Sequence, residues 1–162
     1  MKLSKEHPMF LDAGIALQYL SDELKTEAIC LAAVKKGGGK MLEFVPDSLK
    51  TEALCLAAVQ HDFEALGFVP DAQKTEAIYL AAVEHYGYAL EIVPEALKSE
   101  PLCIAAVQQN GCALKYVPDA LKTEALCLSA VQQDSRALEF VPDALREKVQ
   151  EAESVCFAID FA

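Results

Sequence analysis

Hydrophobic and polar positions recur along the chain with a period of 24 residues. The period is marked by evenly spaced prolines, Pro46, Pro70, Pro94, Pro118 and Pro142. Each copy opens with Lys-Thr/Ser-Glu and reads close to KTEALCLAAVQQ-x-G-x-ALxFVPDAL. The first copy has one extra residue within KKGGGK (35–40), which indicates a loop there. Such a period is typical of stacked structural repeats, since a single unit cannot bury its own apolar face.

Each copy is predicted to form two short helices. The first runs from about Thr51 to His61, with Thr51 as N-cap, and its apolar run over 53–59 predicts burial on nearly all sides. Gly87 and Gly111 follow the equivalent helices, where a left-handed residue would end them. The second helix, over 64–69, is predicted as about one and a half to two turns ended by Pro70.

One copy reads KSEPLC (98–103) where the others read KTEALC or a close variant. A helix running through PEALKSEPLC would place Pro101 deep inside it, at a cost of about 3 kcal/mol. With Ser99 as N-cap, Pro101 is the second helical residue, where its missing N–H has no intrahelical partner to lose. The pattern therefore predicts a helix start at this motif and a separate turn over PDALK.

These elements predict an all-α fold, a right-handed-type α-solenoid of about five 24-residue helix pairs in a single domain. The expected boundaries are an N-terminal cap and half repeat (1–25), five repeats (26–145) and a C-terminal capping helix (146–162). A leucine-rich repeat is the alternative fold. It requires Asn or Cys three residues after LxL, where this chain has valines such as Val59, and the alanine-rich AAV run favours helix.

Two columns of equivalent positions are predicted to lie in the core. The second helices contribute Tyr19, Phe44, Phe68, Ile92, Tyr116 and Phe140. The first helices contribute Cys30, Cys55, Cys103 and Cys127 as small core residues, spaced too far apart for disulfides. Cys112 lies outside this column, in a position that other copies fill with Glu64, Tyr88 and Arg136, and is expected to be the more reactive thiol.

The charge balance limits the partners. Lys and Arg number 14 against 25 Asp and Glu, a net charge of −11. This disfavours nucleic acid and anionic membranes and fits a protein partner, a basic one. No apolar run reaches the length of a membrane span, and MKLSKEHPMFLDAG lacks the pattern of an export signal. Six cysteines without such a signal predict a reducing, cytoplasmic location.

No residue pattern predicts catalysis. His61 and His85 share one repeat position without a third ligand, and no C-x2-C pair occurs, so no metal site or cofactor is expected. KKGGGKM lacks the spacing and hydroxyl of a phosphate-binding loop. No local signature pairs a nucleophile with a base. The chain is therefore predicted not to be an enzyme.

The variable loop between the two helices of a copy is the candidate binding edge, since repeat proteins vary at contact positions while the framework holds. Clustered, partly exposed aromatic side chains in this loop are typical of interface anchors. The predicted partner-binding residues are His61, Asp62, Phe63, His85, Tyr86 and Tyr88.

The run EALCLAAVQQ…ALxFVPDAL resembles the repeat of DUF4116, a bacterial domain of unknown function, over roughly residues 14–145. The match is carried by AAVxxxGxAL, as in 105–114. The resemblance implies helical solenoid units and no catalytic motif, and members occur among proteins that intracellular pathogens deliver into host cells. The C-terminus, REKVQEAES then VCFAIDFA, is similar to type IV secretion signals; its alternative interpretation is a capping helix with Val149, Ala152, Val155, Cys156 and Ile159 turned inward.

The sequence thus predicts a protein-interaction module, cytoplasmic or delivered into a host cell by a secretion system as an effector or effector fragment. A regulator or inhibitor of an enzyme is the alternative function.

Overall fold

The structure is a computed structural model that describes residues 17–159, with side chains as far as residue 154. Within this range every regular element is an α-helix or a 3-10 helix, which confirms the all-α prediction. The chain forms two compact units, 1–82 and 83–162. The single domain and the N-terminal half repeat remain predictions, and residues 1–16 of that cap lie outside the described residues.

Six α-helices lie wholly within residues 20–159, and the first five begin at equivalent residues. They are α1 (Glu27–Gly37), α2 (Glu52–His61), α3 (Glu76–His85), α4 (Glu100–Gln109), α5 (Glu124–Gln133) and α6 (Asp143–Ile159). The predicted threonine caps are confirmed in three of them. Thr26, Thr51 and Thr123 have extended backbones, and their hydroxyl oxygens accept the N–H groups of Ile29, Leu54 and Leu126.

The helix start at KSEPLC is also confirmed. Ser99 is the extended N-cap residue of α4, and Pro101 is the second helical residue. The first hydrogen bond of this helix runs from the Cys103 N–H to the Ser99 carbonyl, at 3.0 Å. The Ser99 side chain does not make the cap hydrogen bond that the threonines make. Pro101 therefore fits because no hydrogen bond of the helix needs its nitrogen.

The predicted short second helix is present in each repeat, and it is a 3-10 helix. These long 3-10 helices are Gly39–Phe44, Phe63–Phe68, Gly87–Ile92, Gly111–Tyr116 and Ser135–Phe140. Only six residues separate the preceding cap from the Val-Pro that ends the element, and i→i+3 bonds close a turn with fewer residues than α-helical bonds. Side chains reinforce the start: Asp62, Asn110 and Asp134 each accept the N–H two residues ahead.

PDALK forms the predicted separate turn in four repeats. The turns are Asp47–Leu49, Asp71–Gln73, Glu95–Leu97 and Asp119–Leu121, each a single 3-10 turn after a proline. In the fifth repeat the same residues start α6, at Asp143. The last helix therefore begins three residues before the predicted boundary at residue 146, and it packs against α5.

Each unit buries aliphatic side chains from its α-helices together with those of its long 3-10 helices. In the first unit the core includes Leu42, Val45, Leu54, Cys55, Val59, Leu66 and Ile78. In the second it includes Leu90, Leu102, Cys103, Val107, Leu114, Cys127 and Val131. The cysteine column is fully buried as predicted, and burial raises the pKa of each of its thiols. Val149 of α6 is buried as expected, whereas the side chains of 155–162 lie outside the described residues.

Two burial predictions fail. The column of Tyr19, Phe44, Phe68, Ile92, Tyr116 and Phe140 is not core: Tyr19 and Ile92 are exposed, and the other four are half-buried. The leucine two residues earlier, as in Leu42, Leu66, Leu90 and Leu114, takes the core position.

The α-helices also keep an open face. In α2, Ala53 is exposed and Leu56 and Ala57 are half-buried, because alanine-rich runs leave little side chain to cover.

The glycines after the helices are needed for close packing and do not adopt the left-handed backbone conformation that was predicted for them. Among the described residues only Gly38 has a positive φ, 92°. A Cβ on Gly87 would stand 2.5 Å from the Ala106 carbonyl oxygen, and one on Gly111 2.3 Å from that of Ala130. These glycines therefore let the long 3-10 helix approach the backbone of the next α-helix.

A lysine contact that the sequence did not suggest joins neighbouring elements in both units. The Lys98 ammonium lies 3.1 Å from the Glu95 carboxylate and donates to the Tyr116 carbonyl at 2.9 Å. In the first unit Lys25 does the same with Asp22 and with the Phe44 carbonyl, both at 2.8 Å. The Lys98 side chain is only 10% exposed. The lysine of the Lys-Thr/Ser-Glu motif therefore belongs to the framework.

Candidate partner-binding site

The predicted site residues of the first unit surround the end of α2. His61 is its exposed last residue, and its ring lies 3.8 Å from where a Cβ on Gly38 would stand. Asp62 accepts the Glu64 N–H at 3.0 Å and so starts the next 3-10 helix. Phe63 is half-buried and takes the position that Gly87 and Gly111 hold in the second unit. Asp62 therefore has a framework role.

The predicted residues of the second unit divide into two contacts. The rings of His85 and Tyr86 lie 6.5 Å apart, and both side chains are exposed. Tyr88 is 48% exposed. It packs against Tyr116 of the following repeat, with centroids 6.3 Å apart and rings at 85°. This edge-to-face arrangement is a favoured geometry for aromatic pairs.

Charged neighbours contact Tyr116. The sequence did not predict these contacts. The Lys115 ammonium stands 5.4 Å from the centroid of the Tyr116 ring, within cation–π distance. Burial, and a hydrogen bond with the Glu91 carboxylate, raise the pKa of the Tyr116 phenol. Tyr88 and Glu91 are three residues apart, which places them on one face of their 3-10 helix. Together they contact Tyr116 by its ring and by its hydroxyl.

Cys112 is buried and a neighbouring carboxylate contacts its thiol, and the expectation that it is more reactive than the column cysteines stays a prediction. It is 7% exposed, and its thiol donates to the Asp134 carboxylate at 3.4 Å. Burial and the neighbouring Asp134 carboxylate raise the pKa of the thiol, because both disfavour the thiolate. The departure from the repeat at this position therefore serves a contact between the fourth and fifth repeats.

Asp134 fixes Arg136. The Arg136 side chain donates from Nε to both carboxylate oxygens, at 3.0 and 3.1 Å, and from Nη2 at 2.6 Å. The same carboxylate accepts the Arg136 backbone N–H at 2.9 Å. These bonds hold the pKa of Asp134 well below its usual range. The guanidinium stays 79% exposed, so it is a fixed cation on the surface.

The second positions of the long 3-10 helices form what we call the variable column: Lys40 and Glu64 in the first unit, Tyr88, Cys112 and Arg136 in the second. Lys40 and Glu64 form an ion pair, and the glutamate raises the pKa of the lysine. In the second unit Tyr88 hydrogen-bonds to Cys112, and Cys112 and Arg136 share Asp134. Within each unit, therefore, the residues that break the repeat are neighbours.

The repeat position of His61 and His85 has a structural role in the fourth and fifth repeats, where glutamine fills it. The Gln109 side chain accepts the Gly87 N–H at 2.7 Å and donates to the His85 carbonyl at 3.0 Å. Gln133 makes the equivalent pair with Gly111 and Gln109. The recurring glutamine was visible in the sequence, but its partners 22 and 24 residues away were not.

Other kinds of site were searched for over the same range. Residues 17–154 contain no cluster of three or more His, Cys, Asp or Glu side chains placed to hold a metal ion. Among the helices described, none is long and apolar enough to span a membrane.

The comparison with protein families matches the repeats that carry this column. The model of a domain of unknown function, DUF4116, matches residues 75–122 and again 100–146. Residues 75–146 therefore match the DUF4116 family, over somewhat less than half of the chain. The DUF4116 segment contains α3, α4 and α5 with Tyr88, Cys112 and Arg136. No curated protein and no solved structure matches the chain.

Proposed function

We propose that this chain is a protein-interaction module and that the variable column of the second unit, with Tyr116 beside it, is its contact surface. The observation that carries the proposal is the spatial adjacency of Tyr88, Cys112 and Arg136, which stand at one repeat position and all differ in kind. A repeat framework that is constant around such a column is the usual arrangement for recognition. The solenoid arrangement of the five repeats is part of this proposal.

The chemistry of the surface supports binding. Tyrosine and arginine are the residues that most often dominate interface energetics. Tyr88 is fixed edge-on against Tyr116, and Arg136 is fixed by Asp134. Since neither side chain must be ordered on association, little conformational entropy is lost. His85 and Tyr86 extend the surface within the second unit, while His61, Asp62 and Phe63 remain candidates in the first.

The partner is expected to be a protein with basic character, because the chain carries a net charge of −11. Binding to nucleic acid would need clustered cations, and the described cations largely pair with carboxylates. A cytoplasmic setting fits the buried free thiols.

Photo-crosslinking tests this surface. Benzoylphenylalanine replaces Tyr88 in one variant and Tyr19, an exposed tyrosine of the first unit, in the matched control. A discrete crosslinked species at position 88, lost when Arg136→Ala is added and absent at position 19, is expected. Equal crosslinking at both positions would reject the proposed surface. Absence of crosslinking at position 88, in the cells that naturally produce this protein, would also reject it.

We further propose delivery into a host cell, on the glutamate-rich composition of REKVQEAES and the apolar residues that follow. The described part of α6 presents Glu147 and Glu151 to solvent and buries Val149, so a capping role and an exposed acidic face coexist. A translocation reporter fused to the chain should lose signal in Glu147→Gln/Glu151→Gln/Glu153→Gln, with unchanged abundance. An unchanged signal would leave the capping helix as the role of this segment.

A further inference from the structure

A groove between α4 and α5 of the second unit lies outside the surface proposed above. It is lined by Glu100, Ile104, Gln108, Leu121, Thr123, Ala125, Leu126 and Ser129. Glu100, Ile104 and Gln108 are spaced by four residues and therefore follow one line along α4. Ala125 and Ser129 form the matching line on α5. The groove shares no residue with the variable column.

The floor of the groove is apolar and accessible. Ile104 is 36% exposed although its side chain is entirely aliphatic. Leu121 lies beside it, and Ala125 and Ser129 are too small to cover it. Small residues on the facing helix let a ligand come close to the α5 backbone. The site therefore suits an inserted aliphatic side chain, which would gain by leaving water.

The charge of the groove is set by one carboxylate. Glu100 makes no ion pair with any side chain in the described range, whereas Glu124, its equivalent in the next repeat, faces Lys148 at 3.8 Å. No cationic side chain lines the groove. Glu100 is therefore open to a cation supplied by a ligand.

Two lining residues depart from the repeat. Ser129 stands where the other copies have Ala32, Ala57, Ala81 and Ala105, and Ile104 stands where they have leucine. The Ser129 hydroxyl has no hydrogen-bond partner among the described residues and is half-buried at the groove. Gln108 is exposed on the opposite wall. Together they offer polar contacts to a peptide backbone.

We propose that this groove binds a short peptide segment that carries one aliphatic side chain and one lysine or arginine. The two residues lie about 6 Å apart along the peptide, which corresponds to four residues of a helix or two residues of an extended chain. The aliphatic side chain packs on Ile104, Leu121 and Leu126. The cation pairs with Glu100. Gln108 and Ser129 hydrogen-bond to the peptide backbone. This site is a second one, independent of the variable column.

Selection from a displayed library of random 12-residue peptides on the full chain tests the proposal. The enriched peptides should combine an aliphatic residue with Lys or Arg at this spacing. Their affinity, measured by fluorescence anisotropy, should fall at least about tenfold in Glu100→Lys, because attraction becomes repulsion. Ser129→Trp, which fills the groove, should abolish binding. Glu52→Lys, at the same helix position of the second repeat, and Tyr88→Ala should leave it within about twofold.

Each of the following results would contradict the proposal that the groove binds such a peptide. Enrichment of anionic peptides, no enrichment, or binding unaffected by Glu100→Lys contradicts the proposed chemistry. Binding lost in Tyr88→Ala and kept in Ser129→Trp assigns the peptides to the variable column instead, so the two proposals fail separately. Far-UV circular dichroism checks that Ser129→Trp folds, and Glu100→Lys, at an exposed residue, decides the outcome if it does not.

Discussion

The Gln109 side-chain oxygen lies 2.7 Å from the backbone nitrogen of Gly87 and accepts its hydrogen bond. Gly87 is buried, and the Gln109 amide also donates to the His85 carbonyl. One side chain therefore secures the start of a 3-10 helix in the preceding repeat.

Gln109→Ala should destabilise the second unit by about 1–3 kcal/mol, because a buried N–H loses its acceptor. The Gly87 amide should exchange with solvent faster in the variant, which NMR hydrogen exchange measures directly. Gln108→Ala is the matched control, since Gln108 is exposed and makes neither contact, and a change within about 0.5 kcal/mol is expected there. Equal exchange rates in the two variants would contradict this role of Gln109.

Gly111→Ala should destabilise the protein by about 1–3 kcal/mol, because its Cβ would meet the Ala130 carbonyl oxygen at 2.3 Å and the helices must shift. Gly67→Ala is the control, since nothing lies within 4 Å of a Cβ there. That change should be neutral or stabilising by up to about 1 kcal/mol, because alanine restricts the unfolded chain. Urea denaturation compares the two midpoints, and similar midpoints would reject the close approach.

Ala53→Pro should be tolerated, because residue 53 of α2 corresponds to Pro101 of α4, the second helical position. The change removes no helix hydrogen bond and should shift stability by less than about 1 kcal/mol. Ala57→Pro, one turn further into α2, should cost about 3 kcal/mol or more. Thermal unfolding followed by circular dichroism distinguishes them; a comparable loss in both would show that the helix start lies elsewhere.

Asp134→Asn should make the protein less sensitive to acid. Arg136 lowers the folded-state pKa of Asp134 below its ordinary value of 3.8. The contribution of this pair to the stability of the fold is therefore fully present above pH 3.8, and it is lost as the pH falls through the folded-state pKa. Asparagine keeps the cap, as Asn110 shows, but cannot titrate. Wild type should therefore lose more stability than the variant between about pH 5 and pH 2. Parallel stability curves would refute this coupling.

The same variant should change the thiol of Cys112. Burial is the largest cause of the raised pKa of the Cys112 thiol, and the Asp134 carboxylate is the next. Removal of this carboxylate therefore lowers the pKa of the thiol and increases the thiolate fraction. Alkylation of Cys112 by iodoacetamide at a fixed pH, followed by mass spectrometry, should be faster in Asp134→Asn than in wild type. Cys127, fully buried and remote from this contact in the repeat, serves as the internal reference.

Local signals in the sequence predicted the helix starts well. A threonine or serine before Glu, and Pro101 at the second position, each act through the backbone of their own helix, so the answer lies within a few residues. The second helix was predicted, but its 3-10 type was not, because EALGFV shows only good helix formers and the short distance from Asp62 to Pro70 is what favours 3-10 geometry.

Contacts between repeats could not be predicted from one copy of the pattern. Lys98 reads as a polar residue before a helix, and its mostly buried bond to the Tyr116 carbonyl appears only when the chain folds back. The candidate site shows the same limit. Tyr88 was found as an aromatic departure, but Tyr116 was assigned to the core, because its role depends on neighbours in the preceding repeat.

The extra glycine of the first repeat shows how such a chain can change length. Lys25 reaches the Phe44 carbonyl across 19 residues, whereas Lys98 reaches that of Tyr116 across 18, and both bonds form. The added residue lengthens α1 to Gly37, and Gly38, at φ 92°, redirects the chain. The junction between an α-helix and the long 3-10 helix that follows it therefore accepts one more residue without losing the lysine contact, and we expect changes of length to be tolerated there.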